Sequence, residues 1–120
     1  MGKLSFQDAF FLRAESKTCP FHVASLMILS PPEGAPKHYL RKLVVTLGNL
    51  RQIWPVFGRK LADPNSLSNP AWIEANNYQA KDHVFHYRLP ADGSMDDLLT
   101  LVARSHELQL DRMRPLWQLH

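Results

Sequence analysis

The chain has 120 residues, 45% of them apolar and 21% charged, with 14 Lys and Arg, 11 Asp and Glu, and one Cys. This length suits a single domain, and the composition is globular rather than disordered. A lone cysteine excludes a disulfide framework and a cysteine zinc cluster, and the uncharged run Thr18–Pro32 is too short and too rich in proline to span a membrane.

Ser5-Phe6-Gln7-Asp8 has the form of a capping box with Asp in place of Glu, and predicts a short helix to about Glu15. Phe6, Ala9, Phe10 and Arg13 share one face of it, with Phe11 to the side, which implies docking onto a larger body. Phe21 to Leu29 is almost wholly apolar and bounded by Pro20 and Pro31-Pro32, the pattern of a strand buried on both faces. Pro31-Pro32-Glu33-Gly34 is a turn, and Pro36 suits the first turn of the next helix. Leu40, Leu43, Val44, Leu47, Leu50 and Trp54 then make one helical stripe, with Arg41, Lys42 and Arg51 off it and solvated. Gly48 costs such a helix about 1 kcal/mol against Ala, so it marks a close contact.

Trp54-Pro55 stops the helix, and residues 62–70 form a polar loop. Ala71 to Glu74 is a strand candidate. Residues 83–89 alternate, with Phe85, Tyr87 and Leu89 facing one way and Val84, His86 and Arg88 the other. After a turn at Pro90–Gly93, Ser94 caps a helix carrying Met95, Leu98, Leu99, Val102 and His106 on one face, with Asp96 and Asp97 in its first turn. Pro115 closes a loop, and Leu116 to His120 reads as a strand just starting. An apolar strand broken off there would leave an unfinished edge, so residues 1–120 are expected to be a fragment.

The charge is uneven. Residues 1–60 carry nine basic and three acidic side chains, and residues 61–120 five and eight. The basic half favours an anionic membrane surface or a phosphorylated ligand, but basic residues interleaved with stacking aromatics are missing, which argues against nucleic acid. Asp8 and Arg13 interrupt the apolar start and argue against a signal peptide. His83 and His86 would point to opposite faces of one strand, a poor geometry for a shared metal, so no metal site is expected. His22 and His106 read as satisfied core histidines, and Cys19 as a small filler before Pro20. Asp96 and Asp97 need no role beyond capping. Unaided, these residues describe an α/β half-domain without a complete catalytic constellation.

The segments nonetheless have a family likeness. Leu4-Ser5, Asp8 to Leu12, Glu15-Ser16 and Pro20-Phe21-His22-Val23 resemble the opening of the bacterial wax ester synthase/diacylglycerol acyltransferase family. In register follow Pro32-Glu33-Gly34, Pro55-Val56-Phe57, Arg59-Lys60-Leu61, Trp72, Asp82-His83-Val84 with His86, and Leu89-Pro90. Leu99, Val102 and His106 lead into Leu110-Asp111-Arg112 and Arg114-Pro115-Leu116-Trp117 with His120, the most specific part.

The resemblance implies an α/β (α+β) fold similar to chloramphenicol acetyltransferase, with this chain the N-terminal part of the first half-domain and the active site in a tunnel between halves. It implies acyl transfer from acyl-CoA to a long-chain alcohol or a diacylglycerol, giving wax esters or triacylglycerol, with acyl-CoA as substrate and no cofactor. The family's base is the second His of His-His-x-x-x-Asp-Gly, needed because an unactivated alcohol is a poor nucleophile. The chain has no His-His pair, and Tyr87 and Arg88 stand where the pair would precede Asp92-Gly93. The motif is expected beyond His120, so no catalytic residue is assigned within this chain and the chain alone is expected to be inactive. What carries over is Pro115, Leu116 and Trp117, linked to acceptor binding and tunnel shape. The implied partners are the acyl and acceptor substrates and a C-terminal polypeptide completing the enzyme. The implied location is the cytoplasm, with peripheral contact at the inner membrane or lipid droplets. The alternative from another class is a non-catalytic lipid- or membrane-surface module, suggested by Phe6, Phe10 and Phe11 in the basic half.

Overall fold

A computed structural model describes residues 2–90 and 92–120. Three short strands form an antiparallel sheet in the order β1-β3-β2, from Gly2–Lys3 (β1), Arg59–Leu61 (β2) and Ala71–Glu74 (β3). β3 lies where its sequence predicts, pairing Trp72 with Gly2 on one side and with Leu61 on the other. The flanking strands escape sequence detection because two or three residues carry no period.

Helix α1 is Phe6–Ala14, and the Ser5 hydroxyl accepts the Asp8 N–H at 3.0 Å. Its docked face is Ala9 and Leu12, while Phe6 (87% exposed) and Phe10 look outward. The expected grouping of Phe6, Phe10 and Arg13 against the body is therefore corrected: packing chooses the smaller Ala9 and the aliphatic Leu12. Helix α4, Met95–His106, has a complete capping box at Ser94 and Asp97. Its inner side is Leu98, Leu101, Val102 and Ser105, each half-buried, leaving Met95, Leu99 and His106 exposed. The Pro32–Ala35 turn closes by a 3.1 Å hydrogen bond, and Gly34 there has φ +73°, a value glycine adopts freely. The Gly93 N–H donates to the Pro90 carbonyl as that turn requires, although Ala91 lies outside the described residues.

The long helix is shorter than its stripe suggests. Pro36 sits in a turn before it, bonded to the Tyr39 N–H at 2.8 Å, and the helix then divides at Asn49 into α2, Tyr39–Gly48, and α3, Leu50–Ile53. Gly48 is buried at the break. A Cβ there would lie 2.8 Å from the Ala80 Cβ, the close contact its composition predicts. Pro55 then opens a 3₁₀ turn, Pro55–Gly58.

Two strand expectations change. Phe21–Leu29 forms no strand: Val23 is 86% and Leu29 79% exposed, and residues 22–30 make no backbone–backbone hydrogen bond among the described residues. No described strand pairs with it, and beyond Phe21, which meets Phe10 and Phe11, its large apolar side chains stand mostly in solvent. Residues 83–89 keep one bridge, parallel between Val84 and Leu119, so the start of the Leu116–His120 strand is realised against them. The core is thin. Apart from Gly48 and Pro115, the buried apolar residues among those described are Ala9, Leu12, Leu61 and Ala75, and the radius of gyration is 16.5 Å. A compact chain of this length would have about 14 Å.

Candidate functional site

Between α1, the Pro55–Gly58 turn and the last segment lies an open cleft of about 420 Å³, with walls from Phe11, Phe21, Val56, Trp72, Leu116 and Trp117. Phe21 stacks obliquely on Phe11 at 5.3 Å, closing one side. A second cleft of about 360 Å³ runs between residues 22–25 and 118–120 beside Val102 and His106. Leu116 and Trp117 line both. Of the three residues singled out near the end of the sequence, Leu116 and Trp117 thus face the open space. Pro115 is buried and lines neither cleft.

Trp117 is held from three sides. Its indole N–H donates to the Phe57 carbonyl at 2.8 Å, and its ring meets Phe57 edge-on at 5.1 Å. Its own carbonyl accepts from His83 Nδ1 at 3.0 Å, and the His83 ring stacks on the indole at 4.7 Å. Tyr78 lies parallel to His83 at 4.9 Å, donates from its hydroxyl to the Gly48 carbonyl at 2.8 Å, and carries the Arg51 guanidinium over its ring at 4.9 Å. Burial raises the Tyr78 phenol, with Arg51 opposing. Arg51 is thus a ring partner and not only a solvated charge.

The charged run before Trp117 works as a pair of clamps. Arg112 binds Glu15 at 3.1 Å and the Leu12 carbonyl at 2.6 Å, tying the last segment to the end of α1. Gln109 adds a 2.7 Å bond to Glu15, and the Phe21 N–H a longer one at 3.3 Å. Burial pushes the Glu15 carboxyl up, but bonds from Gln109, Phe21 and Arg112 and the Arg112 charge outweigh it and hold the group below its ordinary value. Arg114 bridges Asp82 at 2.9 Å and Asp111 at 3.3 Å, fixing the residues just before His83. Neither clamp has a local signal: Glu15 and Arg112 are 97 positions apart. The Phe57 acceptor is a backbone carbonyl and carries no side-chain signature at all.

The histidines divide. His83, with 2% exposure, is the satisfied core histidine. His22 and His106, expected in that role, meet edge-on at 4.6 Å, yet His106 is exposed and the His22 Nδ1 is buried without a hydrogen-bond partner. His86 is exposed, Cys19 is a free, exposed thiol, and no three His, Cys, Asp or Glu converge as metal ligands among the described residues. His120 stacks on Phe85 at 4.9 Å, and burial lowers its pKa. Among the described residues, no helix is long and apolar enough to cross a membrane.

Comparison with known proteins gives these features a context. A sequence profile described as the wax ester synthase/diacylglycerol acyltransferase catalytic domain matches residues 4–120. A Mycobacterium tuberculosis protein named as a diacylglycerol O-acyltransferase is 36% identical over 114 residues, covering 94% of this chain and 25% of its own length. A Mycobacterium bovis protein with the same type of name is 36% identical over 112 residues, covering 92% of this chain and 22% of the relative. The solved wax ester synthase/diacylglycerol acyltransferase of Marinobacter aquaeolei VT8 superposes with a TM-score of 0.71 at 26% identity, over 98% of this chain and 28% of that one. The fold is therefore chloramphenicol acetyltransferase-like, as expected, and the chain spans about a quarter of the length of the relatives it matches.

Proposed function

The chain belongs to the wax ester synthase/diacylglycerol acyltransferase family, and on that premise we propose that it is the N-terminal part of an O-acyltransferase. That enzyme moves an acyl chain from acyl-CoA to a long-chain alcohol or a diacylglycerol. The observation that carries the reading is the fold likeness over almost the whole chain, joined to an apolar cleft walled by the family-type residues Leu116 and Trp117. In this reading the cleft is one wall of the substrate tunnel, acyl-CoA enters as a substrate, and Pro115 fixes the backbone from which the two wall residues project. The sequence holds no His-His pair, so the base that deprotonates the acceptor hydroxyl is supplied by the remainder of the enzyme. With its apolar 22–30 segment covered by that remainder, the assembly would be complete.

The test joins residues 1–120 to the remaining three-quarters of the Marinobacter relative and assays palmitoyl-CoA with hexadecanol. The chimera is expected to form ester and the 120-residue chain alone to form none. Turnover by the isolated chain at the chimera's rate would overturn the reading.

The outward face of α1 favours a second element, contact with a lipid surface. Phe6 and Phe10 lie one turn apart at 87% and 53% exposure, with Arg13 nearby on the same helix, the composition of a shallowly inserted helix face. Phosphatidylglycerol vesicles at low salt should co-sediment the chain and lose Phe6→Ser/Phe10→Ser. Failure of the unaltered chain to bind removes this element.

A further inference from the structure

His83 is the most deeply buried polar side chain among the described residues, and the acyl-transfer reading above leaves it without a task. A carbonyl oxygen can only accept, so in the 3.0 Å contact with Trp117 the proton sits on His83 Nδ1. The His83 main chain is engaged as well: its carbonyl accepts the Leu119 N–H at 2.7 Å, and the Phe85 N–H donates to the Leu119 carbonyl at 2.8 Å. One residue therefore grips the last segment by its backbone on one side and by a ring nitrogen two residues earlier, while its ring face presses on the indole. Trp117 in turn lines both clefts. Its second anchor, the Phe57 carbonyl, fixes the indole nitrogen, and the Phe57 ring meets the indole edge-on, so a pivot of the indole about that bond is limited at its face. The other stop on the pivot is the His83 ring, itself backed by Tyr78 at 4.9 Å and an interplanar angle of 4°.

We propose that His83 is a positioning residue for the Leu116–Trp117 wall and thereby sets the length of alkyl chain the cleft accepts. This rests on reading that wall as part of the substrate tunnel. In an apolar site each methylene that fits or fails to fit changes affinity by about tenfold or more, so a small pivot of one indole is enough to move the preferred chain length. Removing the ring and its N–H lets Trp117 fall back into the vacated space, and the cleft deepens.

The test uses the full 120-residue chain, labelled with ¹⁵N, titrated with 1-octanol, 1-decanol and 1-dodecanol, with binding followed at the Trp117 indole N–H. The indole of Trp54, 53% exposed and not itself part of the cleft lining, is the control for non-specific adsorption. His83→Leu, which removes ring and donor, is expected to shift the decanol-to-dodecanol affinity ratio by about tenfold toward the longer alcohol. His83→Asn, which keeps an N–H donor near the Nδ1 position, is expected to hold the ratio within about threefold of the parent. Should His83→Leu fail to fold, Tyr78→Leu withdraws the backing ring from the far side and is expected to shift the ratio in the same direction by a smaller factor. A parent chain that discriminates the alcohols, with a ratio unmoved in whichever of the two leucine variants folds, overturns the role of His83 and leaves the tunnel reading intact. A parent chain whose Trp117 signal ignores all three alcohols overturns the tunnel-wall reading itself, and the positioning role with it.

Discussion

Two stretches of this chain have the composition of core strands, and they end in opposite conditions. Residues 83–85 are bonded on both sides to Leu119, and His83, a polar residue, is 2% exposed. Residues 22–30 are mostly apolar, yet Met27, Ile28 and Leu29 are 66–79% exposed, and the segment's backbone pairs with nothing described. Hydrophobicity therefore does not decide burial here. The buried stretch has a set of matched partners, Trp117, Tyr78 and the Arg114–Asp82 bridge, whereas the exposed one has apolar side chains and no surface to press them against. A strand is stabilised by the neighbour that accepts its hydrogen bonds and covers its face, and apolar residues alone do not supply that neighbour.

The sharpest way to break this comparison is to truncate one residue in each stretch. Trp117→Ala removes an indole hydrogen bond and two stacked contacts and should cost about 3 kcal/mol in urea unfolding, with loss of the near-ultraviolet dichroism of the ring cluster. Ile28→Ala should fall within about 0.5 kcal/mol of the parent, because it removes surface that is already in water. Equal losses at the two positions would show that the 22–30 segment is packed after all.

Next in size is the clamp that delivers the last segment to the cluster. Arg112→Met leaves the Glu15 carboxylate, 7% exposed, without its cation. Fully buried pairs lose about 3–5 kcal/mol on such truncation. Arg112 is 22% exposed, so solvent moderates the loss to about 2 kcal/mol. The same pair fixes an acid limb. Glu15 titrates below its ordinary value of 4.5 in the folded chain, so its stabilisation is whole above that pH and drains away as pH falls through the lower folded value. Melting temperature followed from pH 6 to pH 3 should drop more steeply in the parent than in Glu15→Gln, which has no proton to take up at that position.

What could be foreseen from the sequence follows the range of the interaction concerned. Caps and turns are settled within four residues, and Ser5, Ser94 and Gly34 behave as their neighbours dictate. Helix faces depend on what lies opposite: α1 has aromatic residues on more than one side, and only the tertiary contact selects Ala9 and Leu12 over Phe6 and Phe10. Strand existence depends on a partner, which separates residues 83–85 from 22–30 although both sequences predict a strand. For the candidate site, the family likeness pointed to Pro115, Leu116 and Trp117, of which Leu116 and Trp117 line the clefts and Pro115 does not. The groups that hold them did not stand out, because Glu15 and Arg112 meet across 97 positions and Phe57 contributes only a carbonyl.

The smallest expected effect probes how far the tight packing around His83 extends. Gly48 has an ordinary negative-φ backbone, since Gly34 is the glycine with positive φ. Alanine there should gain about 1 kcal/mol of helix propensity. Against this, the new methyl would stand 2.8 Å from the Ala80 Cβ, and neither is the flexible end of a side chain that could swing aside. The Tyr78 hydroxyl bond to the Gly48 carbonyl resists any retreat of α2, so the overlap should cost about 2 kcal/mol and leave Gly48→Ala less stable by about 1 kcal/mol. Shortening the opposing residue in Gly48→Ala/Ala80→Gly removes the clash and should recover most of that loss, the sign of a direct contact rather than of an altered unfolded state. Ala24→Val adds methyl groups of the same kind within the exposed 22–30 segment and should change stability by less than about 0.5 kcal/mol. A tolerant Gly48 together with an intolerant Ala24 would invert the assignment of packed and open regions on which the comparison stands.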